Sequence, residues 1–138
     1  MVCLLAIALF AGVAASAQAS WKLKLDNKVL LSATEESMEK NVVKMTGLAL
    51  KKAKVVTLHY GEVGESKDWQ RTIMLYSPED EALKTFKGNR FSLPAAALQK
   101  LFAQSKTIHV YTMSLPKDPK LAATVRVRRV HLCTLVLN

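Results

Sequence analysis

Leu121-Ala122-Ala123-Thr124-Val125-Arg126-Val127-Arg128-Arg129-Val130-His131-Leu132-Cys133-Thr134-Leu135-Val136-Leu137 is the longest β-favouring run of the chain. Val125 and Val127 alternate with Arg126 and Arg128, the period-two pattern of a half-buried strand. Arg129 falls where an apolar residue is due, and the pattern resumes one position late with Val130, Leu132 and Val136. Two adjacent polar residues at a change of phase predict a β-bulge at Arg128-Arg129, or a strand that passes there from one sheet to another. Either way Val125, Val127, Val130, Leu132 and Val136 share a core, and His131, Cys133, Leu135 and Leu137 take the other face. A strand apolar on both faces is interior to its sheet.

The same reading extends outward. Trp21, Leu23 and Leu25 alternate with Lys22 and Lys24, the turn pair Asp26-Asn27 follows, and residues 28–32 return as the second strand of a hairpin. Residues 33–41 read as an acidic loop, in which Ser32 and Glu35 have capping-box spacing for a single helical turn. Further strands are predicted over 41–45, 54–60, 70–76, 83–87, 91–93 and 106–113, and residues 47–52 fit neither template. Residues 61–68 and 115–120 are loops by composition, with Gly88-Asn89 a turn. One short helix is predicted over 94–104, with Ser92 as its cap, Pro94 in its first turn, and an apolar stripe of Ala95, Leu98, Leu101 and Phe102. Eight or nine strands and one helix make an all-β chain: a single antiparallel β-sandwich, jelly-roll-like, over residues 20–138.

Residues 1–19 carry no charge, run through Leu4-Leu5-Ala6-Ile7-Ala8-Leu9-Phe10 and end in overlapping A-x-A sites at Ala15-Ser16-Ala17 and Ala17-Gln18-Ala19. This is the pattern of a secretory signal peptide, lacking only the basic n-region, and the apolar run is shorter than a membrane span. Export places the chain in the periplasm or outside the cell. Cys3 leaves with the leader, and Cys133, alone in what remains, cannot form an internal disulfide; it reads as a small buried hydrophobe.

The formal net charge is +9. Residues 1–81 hold ten Lys/Arg and ten Asp/Glu, whereas residues 82–138 hold ten Lys/Arg and one acid, Asp118. Such asymmetry points to a basic surface and an anionic partner. Three of the five arginines, Arg126, Arg128 and Arg129, lie in the final run, and with Lys106 and Tyr111 on a neighbouring strand they form the best binding candidates. Trp69, after a loop, is the better of two tryptophans for a sugar platform, and Trp21 is core. The partner expected is an anionic envelope polymer or a protein, with no nucleic acid, since no recognition module is present.

Catalytic and metal patterns are weak. No cofactor motif, H-E-x-x-H, C-x-x-C or G-x-S-x-G occurs, and Glu35/Glu36 and Glu79/Asp80/Glu81 are turn clusters that water solvates. The second reading is a small metal-binding or hydrolytic protein in which His59, His109 and His131 converge, with Cys133 on the same face as His131. A third is a periplasmic structural or assembly factor.

The leader, Ser20-Trp21-Lys22, Ser105-Lys106-Thr107-Ile108, and the run from Ser114-Leu115-Pro116 through Arg128-Arg129-Val130-His131-Leu132-Cys133 resemble small uncharacterised exported proteins of Bacteroidota. The resemblance implies an exported location and one β domain. It implies no catalytic or binding residues.

Overall fold

The computed structural model describes residues 18–138. The expected leader lies outside these residues, apart from Gln18 and Ala19. Those two belong to the fold, because β1 (Ala19–Leu25) begins one residue before the expected domain start and Gln18 O accepts a hydrogen bond from Val63 N.

Asp26, at φ 53°, turns β1 into β2 (Lys28–Ala33), as its tolerance of the left-handed region allows. Its carboxylate also fixes the start of β4 (Val55–Glu62), because Oδ1 accepts from the backbone N–H groups of Lys54 and Val55, each at 3.0 Å. Between these lie β3 (Val42–Met45) and the ambiguous segment, which is a helix, α1 (Gly47–Lys52), capped by the Thr46 hydroxyl on Ala49 N. β5 (Trp69–Tyr76), β6 (Ala82–Lys87) and β7 (Arg90–Pro94) follow. Then come α2 (Ala95–Gln104), β8 (Thr107–Pro116), the single turn α3 (Pro119–Ala122) and β9 (Val130–Leu137).

These form a sandwich of two sheets, one ordered β2-β1-β4-β7 and the other β3-β9-β8-β5-β6. Every pairing is antiparallel except β3 with β9. Leu23, Val56, Leu58, Phe91 and Leu93 of the first sheet meet Ile73, Leu75, Ile108, Val110, Leu132 and Leu135 of the second in one core. Trp21 lies in that core stacked on Tyr60, and its Nε1–H donates to Leu132 O at 2.9 Å across the two sheets. α1 and α2 pack together and close one end, contributing Leu50, Ala95, Leu98 and Phe102; Leu101, the fourth residue of the expected stripe, is half-buried. At the crossing from β6 to β7, Gly88 at φ 106° turns so sharply that its N–H reaches Arg71 O while Asn89 O accepts from Tyr60 N, one bond to each sheet.

Several expectations need correction: three helices stand where one is expected, and the β3–β9 pair is parallel in a sandwich expected to be antiparallel. The final strand is interior and antiparallel to β8 as read, but it spans only Val130–Leu137. Residues 125–129 keep the alternation in burial, with Val125 and Val127 half-buried and Arg126 and Arg128 exposed, yet join no ladder. An alternating pattern records which side faces the protein; it does not supply a partner strand. The bulge lies at Leu132, because Val110 pairs with Cys133 and Tyr111 with His131. His131 therefore faces outward while Leu132 and Cys133 face the core, and Val125, Val127 and Val136 are absent from that core. Finally, Ser92 does not cap α2: Pro94 occupies the cap position, without a side-chain bond, and Lys54 O takes the Ala95 N–H.

Replacing Trp21 by Phe leaves the buried Leu132 carbonyl without a donor and is expected to cost about 1–3 kcal/mol. Leu58→Ala is expected to cost about 2–5 kcal/mol. Urea unfolding checks both, with exposed Lys22→Ala as the control within about 0.5 kcal/mol.

Candidate functional site

The arginines of the final run do not form a basic sheet face. Arg128 makes a two-pronged pair with Glu36, both contacts at 2.9 Å, and Glu36 Oε1 also accepts from His131 N at 3.1 Å. The Arg128 guanidinium, above all, holds the Glu36 carboxyl below its ordinary pKa, against a smaller opposing effect of burial. Arg129 pairs with Asp80 at 2.6 Å, and its guanidinium lies over the rings of Tyr111 and Tyr76, 4.2 and 4.9 Å from their centroids. Tyr111 therefore does join Arg129, as an aromatic bed beneath a neutralised cation. Lys106 precedes β8, about 17 Å along the strand from Tyr111 at 3.4 Å per residue. Trp69, paired with Pro116, lies at the other end of β5 and β8. Arg126 is exposed and makes no ion pair among the described residues.

The histidines converge only in part. His109 and His131 face outward from the five-stranded sheet with ring centroids 6.0 Å apart. Thr134 Oγ1 lies between them, 2.9 Å from His109 Nδ1 and 2.8 Å from His131 Nε2. A hydroxyl has one proton and two lone pairs, so it donates to at most one of the rings and accepts an N–H from at least one, as their tautomers dictate. Burial, first, and then the Arg129 charge lower the pKa of His109, with Asp80 opposing. Burial and then His109 lower that of His131, with Glu36 opposing. Thr134 and His131 are both buried, so this arrangement locks the outer layer and offers no nucleophile to a substrate. His59 lies on the opposite sheet and is exposed. Cys133 is separated from His131 by the bulge, faces the core, and has its thiol pushed up to about 12 by burial. Among the described residues no three His, Cys, Asp or Glu side chains are grouped to hold a metal ion.

Unpaired positive charge lies elsewhere, on the outer face of the four-stranded sheet. Trp21, Leu23, Leu58, Tyr60, Phe91 and Leu93 point inward, so the alternate residues point out. The register sets Ser32, Lys22, His59 and Arg90 in one row across four strands, and Val29, Lys24, Thr57 and Ser92 in the next. Neighbours within a row are about 4.8 Å apart. Lys22, Lys24 and Arg90 are exposed and make no salt bridge among the described residues. The ladder places no carboxylate on this face. Lys22-x-Lys24 is visible in sequence as the exposed phase of β1. Its meeting with His59 and Arg90 depends on long-range register, which no local pattern encodes.

Comparison of the chain with protein-family models, curated proteins and solved structures found no match. No helix among the described residues is long and apolar enough to cross a membrane.

The two lowered histidines set a pH dependence. Below the ordinary imidazole value of 6.5 the unfolded chain takes up protons that folded His109 and His131 resist. Their contribution is full above that value and falls as pH falls below it. Stability measured by urea unfolding is therefore expected to decline from pH 7 to 5, and the slope is expected to flatten in H109N/H131N relative to the parent chain.

Proposed function

We propose that this chain is an exported, non-enzymatic binding module whose ligand is a linear anionic polymer of the cell envelope. The polymer lies across the outer face of the four-stranded sheet. The observation that carries this reading is the Lys22–His59–Arg90 row with Lys24 beside it, exposed and free of carboxylates. Cations spaced at strand intervals lie within one Debye length, about 10 Å at 0.1 M salt, and act on a polyanion together. Hydroxyls of Ser32, Thr57 and Ser92 lie in the same two rows as additional donors. Lysine and arginine bind carboxylate, sulfate and phosphate alike, so the shared chemistry is a repeated negative charge.

The expectation moves from the final run to this face for an electrostatic reason. Glu36 and Asp80 already occupy Arg128 and Arg129, and a polymer would have to displace them. The test is binding of a polyuronate, a sulfated glycan and polyphosphate by titration calorimetry, at about 0.05 and 0.3 M salt. K22A/K24A/R90A is expected to lose at least about tenfold in affinity, about 1.4 kcal/mol, and to lose most of the salt dependence. R126A/R128A/R129A is expected to stay within about twofold. The opposite ranking of the two variants, or no binding of any polyanion, overturns the proposal. The preferred polymer among the three identifies the charged group.

A further inference from the structure

Where β4 ends and β5 begins, the surface is built differently from the basic face. A cavity of about 280 Å³ is lined there by Glu62, Glu65, Ser66, Trp69, Arg71 and Ser114, with Gly64 at its lip. Arg71 is buried, and all three of its nitrogens are engaged. Nε donates to Glu65 Oε1, Nη2 to Glu62 Oε2 at 2.7 Å and Nη1 to Thr112 Oγ1 at 3.1 Å. The Tyr60 ring covers one guanidinium face, its centroid 4.3 Å from Cζ. Two carboxylates against one guanidinium give the lining itself one excess negative charge, with Lys67 and Lys117 beside the neighbouring part of the cleft.

The wall retains unspent hydrogen-bonding capacity. Glu62 Oε2 takes both Arg71 and the Tyr60 hydroxyl, but Glu62 Oε1 and Glu65 Oε2 accept from none of the described residues. Ser114 Oγ is buried on the cavity wall with no hydrogen-bond partner. A buried hydroxyl left unpaired is costly, so a ligand toward which the Ser114 side chain turns its Oγ relieves that cost. Trp69 stands at the rim, 37% exposed. The loop that carries Glu65 is held before any ligand arrives, because Asp68 N donates to Ser66 Oγ, Trp69 N to Ser66 O and Lys117 N to Asp68 O.

We propose that this cavity binds one neutral pyranose ring. Its hydroxyls donate to the free Glu62 and Glu65 oxygens and pair with Ser114, and its C–H face lies on Trp69. The class follows from the inventory: fixed acceptors, one hydroxyl and one aromatic plane suit a small polyol with an apolar face. The volume lies just below the range for drug-sized ligands and admits a single ring. The site shares no residue with the basic face, so either reading can fail alone.

Trp69 supplies the test. Trp21 is buried, so acrylamide quenching of the intact chain reports on Trp69. Methyl glycosides of glucose, galactose, mannose and N-acetylglucosamine are titrated at millimolar concentration, with methylammonium as the cationic comparison. At least one glycoside is expected to protect Trp69. Ser114→Val, which keeps Trp69 and Arg71, is expected to weaken that protection at least about fivefold. Trp69→Ala is expected to abolish glycoside binding in calorimetry, with an unchanged urea midpoint showing that the fold survives. K22A/K24A/R90A is expected to bind the glycoside unchanged. Protection by methylammonium alone, no protection by any glycoside, or full protection in Ser114→Val overturns the proposal.

Discussion

One extra residue in β9 determines how the two sheets relate. Leu132 has no cross-strand partner in β8, and a bulged carbonyl inside a core must be satisfied or the fold loses that free energy. Trp21 provides the donor from the opposite sheet. This single bond ties the first strand to the last, across 111 positions of sequence, and stands Trp21 upright against Tyr60. It also decides what each side of β9 carries. Before the bulge His131 turns to the outer layer; after it Cys133 and Leu135 fill the core. An unbulged strand would set His131 and Cys133 on one face.

Charge follows the same logic of distance. Along the chain, positive charge accumulates after residue 81. In space, Glu36 and Asp80 from the balanced part lie against Arg128 and Arg129 from the basic part. Exposed pairs of this kind stabilise by only about 0–1 kcal/mol each, so they hold residues 125–129 in place more than they hold the protein together. Arg71 is a different case. Its guanidinium is buried, and only the loss of both glutamates would leave its charge unpaired in poorly solvated surroundings.

Much of the architecture is legible in the sequence because it rests on local patterns. Alternation in β1, β5 and β8, the Asp26 turn and the apolar stripe of α2 each declare an element within ten residues. The same property explains the failures. The alternation of residues 125–129 is real, but whether alternation becomes strand depends on a neighbour, and β8 pairs no further than Val130. The sequence points to a bulge in the right run but too early, because the adjacent polar pair Arg128-Arg129 imitates a phase change that the chain makes at Leu132, under Trp21. Of the candidate residues, Tyr111 lies under Arg129 and Trp69 lines the cavity beside Arg71, while the exposed cations on the outer face of the four-stranded sheet come from β1 and β7. Joining those strands requires the register of β4 between them.

Cys133 has a consequence of another kind. It is the one cysteine after the first 17 residues, it has no exposed surface, and its thiolate is suppressed by burial at the centre of an interior strand. A soluble thiol reagent can reach it only when β9 leaves its neighbours, which means when the sandwich comes apart. The folded chain thus carries a clock: the rate at which this sulfur becomes modified tracks how often, and under vigorous labelling how fast, the whole domain opens.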